Sequence, residues 1–354
     1  MSGRQELLSI IWMAAVAAAT GTRRYVGLVS GAAVSAAIVV RPNLLPLGVV
    51  VGLFLLVRPD RTWQQRLRVA GMYAACCAPG CAIVAITQQA FYGSPLASGY
   101  GSLSVLFDAS HLGPNTRRYL WWLWETHTPT VILAALAPWL LPGALTVLCL
   151  ALFLVNLALY VPYVVFDDWS YLRFLLPTLP LVLILVMAVI DAIARRIGVR
   201  RVGLVSAAAA LILATLSVRE ARERNTFRLQ RLEARFARAG TFVADRLPEN
   251  ALVITSWESG SVRFYGGRKT LVWDALDPAW LDRALAYVRS RGYEPYLLFE
   301  RREEPDFRRR FAGSTVALLD WPPMAEVASQ VRIYRPDDRA RYLEGTAAPT
   351  EYVP

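Results

Sequence analysis

The chain has 354 residues, 55% of them hydrophobic, and a formal net charge of +11. A mean hydropathy of +0.37, with the apolar residues gathered into runs, excludes an ordinary soluble globular protein. The positive charge is almost all arginine (Lys269 is the only lysine), clustered beside apolar runs and forming no basic face interleaved with base-stacking aromatics, which argues against a nucleic-acid partner.

A helix crossing the hydrocarbon core needs about 20 apolar residues. In chain order the apolar runs are 7–20, 25–40, 44–57, 69–92, 130–142, 144–166, 175–194 and 204–218. The runs 69–92, 144–166 and 175–194 are clear spans. The shorter ones extend into flanking residues or are shielded by neighbours, so residues 1–218 are expected to form a multi-pass membrane domain of about eight spans in a lipid bilayer. Three arginine clusters mark the cytoplasmic side: Arg23 and Arg24; Arg58, Arg61, Arg66 and Arg68; and Arg195, Arg196, Arg200 and Arg201. Threading the spans through them puts the turn at Arg41, the loop 93–129, the turn 167–173 and everything after Arg219 on the opposite side. In a bacterium this means an inner-membrane protein with a periplasmic C-terminal domain. The N-terminus then lies outside with no signal peptide, as expected of a chain whose first spans lie upstream.

The remainder is polar. Residues 219–246 read as a charged linker helix, with Leu229, Leu232 and Phe236 at three-and-four spacing. Residues 247–354 alternate: strands at 250–257, 269–273, 294–300, 315–321 and 330–336, helices at 278–292 and 306–311, hence a small α/β domain. The segment SWESGSVRFYGGR follows the first strand, at the end where α/β sheets bind ligands. It carries no phosphate-binding glycine pattern, and Arg263 and Tyr265 within it are expected to be structural.

The chemistry-bearing residues cluster on the outward side. Arg41, in VVRPNLLP, is a charge between two apolar runs, where it either meets an anion or snorkels to the interface. The stretch RRYLWWLWETHTP sets Tyr119, Trp121, Trp122 and Trp124 beside Arg117 and Arg118. That suits a helix in the headgroup layer and one wall of a lipid-phosphate site, with Glu125 and His127 at its mouth. In DDWSYLRFLLPTLP, Asp167 and Asp168 bind a divalent cation, act as a base, or cap the following helix and pair with arginine. Adjacent helical residues point apart, which favours capping and pairing. The cysteines (Cys76, Cys77, Cys81 and Cys149) lie in apolar runs, and His111 and His127 are not spaced for zinc, so neither a disulfide framework nor a zinc site is expected. No internal repeat appears. Asn156 is the only strongly polar residue deep in a clear span, which places a transporter last.

Together VVRPNLLPLGVV, FYGSPLASGYGSLSVLF, NTRRYLWWLWETHTP and DDWSYLRFLLPTLP resemble the C-terminal two-thirds of bacterial integral-membrane glycosyltransferases of the GT-C fold. These are relatives of the protein O-mannosyltransferases and the lipid A aminoarabinose transferase. The resemblance implies transfer of a sugar from a polyprenyl-phosphate donor to an acceptor outside the membrane. It also implies a GT-C-like helical domain and a donor phosphate held by Arg41, Arg173, Arg117 and Arg118. Tyr100, His127 and Tyr171 would line the substrate cavity. Metal dependence varies across the fold, so a divalent cation is an open option. The family's catalytic acid lies in the first outward loop, which would precede Leu7. Asp168, Asp167 and Glu125 are the remaining acidic candidates here. The alternative is a non-catalytic lipid-phosphate-binding protein that docks a complete enzyme through its C-terminal domain.

Overall fold

The computed structural model describes residues 2–22, 25–97 and 103–354, so Arg23, Arg24 and Tyr100 lie outside the described residues. The chain divides into two compact units, Met1–Glu220 and Ala221–Pro354.

The first unit is helical. It runs through α1 (Ser2–Thr20), α2 (Val26–Val40), α3 (Leu45–Val57), α4 (Trp63–Tyr92), the short α5 (Leu103–Leu106), α6 (Leu112–His127), the one-turn α7 (Ala137–Leu140), α8 (Ala144–Tyr160), α9 (Leu179–Arg196) and α10 (Val202–Glu223). Among the described residues, α4 and α10 are the two helices long and apolar enough to cross a membrane. A third span results if the 3-10 turn Trp169–Leu175 and α9 are counted together. The expectation of about eight full spans is corrected to these. The other apolar helices have 10–17 residues and, at about 1.5 Å per residue, fall short of a ~30 Å hydrocarbon core.

Three local causes reset the expected boundaries. Helix α4 starts six residues earlier than its apolar run because Thr62 and Gln65 form a capping box before Trp63. Helix α8 stops at Tyr160 instead of running to residue 166, since Pro162 cannot donate to the helical ladder. The stretch beyond is held by Asn115, whose Nδ2 donates to Val161 O at 3.1 Å and Tyr163 O at 2.6 Å. The run 175–194 is broken: Trp169–Leu175 and α9 meet at 83°, with Pro177 and Pro180 at the corner. Residues 130–142 likewise form a 3-10 stretch, Pro129–Leu136, followed by α7 and not one continuous helix.

Helices α2 and α4 pack with their backbones nearly touching. A Cβ on Gly27 would sit 2.3 Å from Val69 O, and one on Gly31 would sit 2.6 Å from Tyr73 O. Only glycine permits that approach, the small-residue packing used where apolar burial cannot drive association. Tyr73 Oη donates to Gly48 O at 2.6 Å, linking α3 to the pair.

Arg58 is buried and closes the C-terminal end of α1. Its Nη1 donates to Ala19 O and Gly21 O, each at 2.7 Å, while Nε and Nη2 grip Asp60 at 2.8 and 2.5 Å. These bonds satisfy carbonyls that the end of α1 leaves without helical partners. Arg58→Ala is expected to cost about 2 kcal/mol, read as a lowered Tm in detergent, because two backbone carbonyls at the end of α1 and the exposed Asp60 carboxylate lose their shared donor together. A Tm unchanged by the substitution would mean that water replaces the guanidinium without penalty.

The second unit begins with α11 (Leu229–Arg246) and continues as a mixed six-stranded sheet. The strands are β1 (Ala251–Ile254), β2 (Lys269–Leu271), β3 (Glu294–Glu300), β4 (Ala325–Val327), β5 (Val331–Tyr334) and β6 (Glu351–Val353), in the order β2-β1-β3-β5-β4-β6. Strands β1, β2 and β3 are parallel, with Ala251 opposite Glu294 and Leu252 opposite Lys269, whereas β5 runs antiparallel to β3. Between strands lie α12 (Ser259–Phe264), α13 (Leu281–Ser290) and α14 (Glu304–Arg310), and α15 (Asp338–Leu343) precedes β6. The period-two alternation of β3 feeds two cores. Tyr296 and Leu298 pack with Phe242 and Val243 of α11, and Leu297 and Phe299 with Leu285, Phe307 and Phe311. The expected strand at 315–321 is instead a 3-10 turn, Val316–Leu318, with Leu319 at φ 45°. Its apolar residues Ala317, Leu319 and Trp321 plug the second core, and Ala325–Val327 takes the place beside β5.

Candidate functional site

Three of the residues named from sequence, Arg41, Tyr171 and Arg173, come together around one ring, Phe174. The Arg41 guanidinium carbon lies 5.0 Å from the Phe174 centroid and 5.4 Å from that of Tyr160. The Arg173 guanidinium lies 5.8 Å from the same Phe174 ring and 4.7 Å from Tyr171. Residues 132 positions apart in the chain therefore share an aromatic platform. The α2–α3 turn presents one arginine and the turn before the 83° bend presents the other.

The platform is continuous. Tyr160 stacks on Phe174 at 4.6 Å, Phe166 stacks on Tyr171 at 3.7 Å, and Tyr163 meets Phe174 edge-on at 5.9 Å. Asn43 Nδ2 donates to Tyr160 Oη at 2.7 Å, which fixes the α2–α3 turn against the end of α8. Tyr119 of α6 is buried near enough to feel the charge of Arg41, so a third side of the site comes from α6.

Arg41 is the anomaly. Its Nη1 is buried and has no hydrogen-bond partner, and no carboxylate pairs with it among the described residues. The rings beneath it supply quadrupole attraction, and the Tyr160 hydroxyl lies within reach of the guanidinium, but Nη1 itself has no acceptor. A guanidinium with a buried unsatisfied nitrogen fits a site that an anion completes.

The other arginines are disposed differently. Arg118 is ion-paired with Asp167, joining α6 to the turn 167–173. Arg117, one residue earlier, is exposed and is not brought to the platform. Glu125 is exposed as well. His127 is half-buried at the end of α6, its Nδ1 2.7 Å from Thr126 Oγ1. Burial holds its imidazole below the ordinary range, so it is neutral at pH 7. Tyr171 lies under Arg173, and Tyr100 is outside the described residues.

The two aspartates are both engaged. Asp168 Oδ1 accepts from Ser170 N–H at 2.8 Å and caps the turn Trp169–Leu175, while Asp167 holds Arg118. Both are exposed, and they face separate partners. Among the described residues no three histidine, cysteine or carboxylate side chains gather into a group able to hold a metal ion. The acidic pair therefore does not fit a divalent-cation site.

No family model, curated protein or solved structure matches this chain. The site is thus read from its own chemistry. Asn43, Tyr160 and Phe174 were missed in the sequence because each sits at the end of an apolar run and looks like ordinary packing. The one readable signal was Asn43 beside Arg41, two polar side chains in a turn between apolar helices.

Proposed function

We propose that this protein binds a phosphate-bearing lipid at Arg41 and Arg173 and acts as a membrane glycosyltransferase of the GT-C kind. The sugar passes from a polyprenyl-phosphate donor to an acceptor on the outer side of a bacterial inner membrane. The carrying observation is the buried, unpaired Arg41 Nη1 above Tyr160 and Phe174. The aromatic platform adds flat apolar faces suited to an isoprenoid chain or a sugar ring. In this reading α4, α10 and the bent pair of Trp169–Leu175 with α9 anchor the first unit in the bilayer, and the second unit lies in the periplasm.

A specific observation favours the alternative, a lipid-phosphate-binding protein without turnover. Asp167 is spent on Arg118 and Asp168 on a backbone cap, leaving neither poised as a base.

The test uses the full chain in nanodiscs with a polyprenyl-phosphate sugar, the same prenol without phosphate, and inorganic phosphate. Tight binding of the first alone, with sugar transfer, supports the enzyme, and binding without transfer supports the alternative. Equal binding of prenol and prenyl phosphate would remove the phosphate site. Asp168→Asn keeps the cap, since asparagine is an equally good N-cap residue, and removes the carboxylate. Transfer is expected to stay within about 3-fold of wild type. A loss in the ~10²–10⁴-fold range typical of a missing general base would instead make Asp168 catalytic.

A further inference from the structure

Three glutamates are buried together in the second unit, at the carboxyl ends of β1 and β3. Glu258, Glu300 and Glu303 have relative exposures of 0, 2 and 1%. From β1 the chain turns through α12 to β2, while from β3 it leaves through α14 toward the other side of the sheet. The three side chains thus sit where the topology reverses. One cation faces them: Arg235 of α11, whose Nε donates to Glu300 Oε1 at 2.8 Å. Glu303 is occupied by backbone, accepting from Glu300 N–H at 2.9 Å and Trp257 N–H at 3.2 Å. Glu258 is left with Ser261, and its Oε1 is buried without a partner.

The hydrogens around Ser261 locate a proton. Its Oγ lies 2.5 Å from Glu258 Oε2 and 2.9 Å from the Glu258 carbonyl oxygen. One hydroxyl hydrogen serves only one of these acceptors. With a proton on Glu258 both contacts are satisfied: the hydroxyl donates to the carbonyl and the carboxyl donates to the hydroxyl. An ionised Glu258 would leave one short oxygen–oxygen contact without a hydrogen and would put three buried carboxylates beside one arginine.

We propose that Glu258 is a proton-operated latch: protonated, it keeps α12 docked over the ends of β1 and β3, and ionised, it releases the segment 255–266. Burial first, then the charges of Glu300 and Glu303, against the pull of Ser261 and Arg235, lifts its proton affinity to a pKa of about 7. A proton held more tightly closed than open stabilises the closed form at low pH. That advantage is complete below the ordinary glutamate value of about 4.5 and is lost as pH rises to about 7. The segment carries the exposed Trp257, Phe264 and Tyr265, so the latch sets how firmly an aromatic ridge is presented.

The test is hydrogen exchange of peptides covering 255–266 in the full chain, corrected for the intrinsic pH dependence of exchange. Opening is expected to rise about 30-fold between pH 5.5 and 8 in wild type and to stay flat in Glu258→Gln. Flat wild-type protection, or an equal rise in the glutamine variant, would overturn the proposal. Should the variant not fold, the infrared band of a protonated carboxyl decides on wild-type protein. A band titrating near pH 7 supports the latch, and no such band between pH 5 and 7 refutes it.

Discussion

Arg41→Ala is expected to weaken binding of a polyprenyl phosphate about 100-fold while leaving Tm unchanged or slightly raised. The two halves of that result have one cause. A guanidinium that donates two charge-assisted bonds to a phosphate contributes about 3 kcal/mol of affinity, the equivalent of two decades. Without the anion, the same group is a half-buried charge with an orphaned Nη1, and removing it takes away part of a desolvation cost. Arg41→Lys retains the charge but loses the planar fork and should fall between the two. A purely structural arginine behaves in the opposite way: Tm drops and lipid binding holds. Measuring binding and thermal unfolding on the same preparation therefore separates a ligand site from a snorkelling residue.

Gly31→Val is expected to be strongly damaging to the helical unit, costing roughly 3 kcal/mol or more. Its Cβ alone would lie 2.6 Å from Tyr73 O and 2.7 Å from Cys76 Cβ, closer than side chains approach, and backbone on the far side cannot rotate away. The helices must part. With them go the contact of Cys77 Sγ with Gly31 O at 3.5 Å and the bond from Gly80 N–H to Ser35 Oγ at 2.9 Å. Gly71→Ala is the control on α4, because a Cβ there meets nothing within 4 Å and alanine favours the helix. Unfolding temperature and the monodisperse fraction in detergent give the reading. If both variants unfold alike, the close approach of α2 and α4 is not what holds the unit.

The parts of this molecule that were legible in the sequence rest on short-range physics. The helical runs, the change to an α/β pattern after residue 246 and the odd charge at Arg41 all follow from residues within a few positions of one another. What escaped depends on distant partners. Tyr160 becomes part of a site only because Asn43 reaches it from 117 positions away. The stretch 161–166 reads as the end of a span until Asn115 is seen taking its carbonyls. The number of spans was overestimated because hydropathy scores composition and ignores where proline stops a helix, as at Pro162 and Pro177. Residues 315–321 alternate like a strand, yet the same alternation serves a turn that sends Ala317, Leu319 and Trp321 into one core and leaves Leu318 exposed. Glu258, in a run of serine and glycine, looks like a solvated turn residue. Nothing nearby in the sequence signals that Glu300 and Glu303 will be buried beside it.

The Arg58 clamp bears on the order in which the chain becomes stable during its synthesis. The carbonyls of Ala19 and Gly21 are made early, but the guanidinium that satisfies them belongs to a residue 39 positions after the first. Until α3 has followed α2 and delivered that side chain, the end of α1 depends on water or headgroups for its last hydrogen bonds. The first three helices therefore reach their final form as one block, and α4, beginning only five residues after Arg58, arrives at a surface already closed.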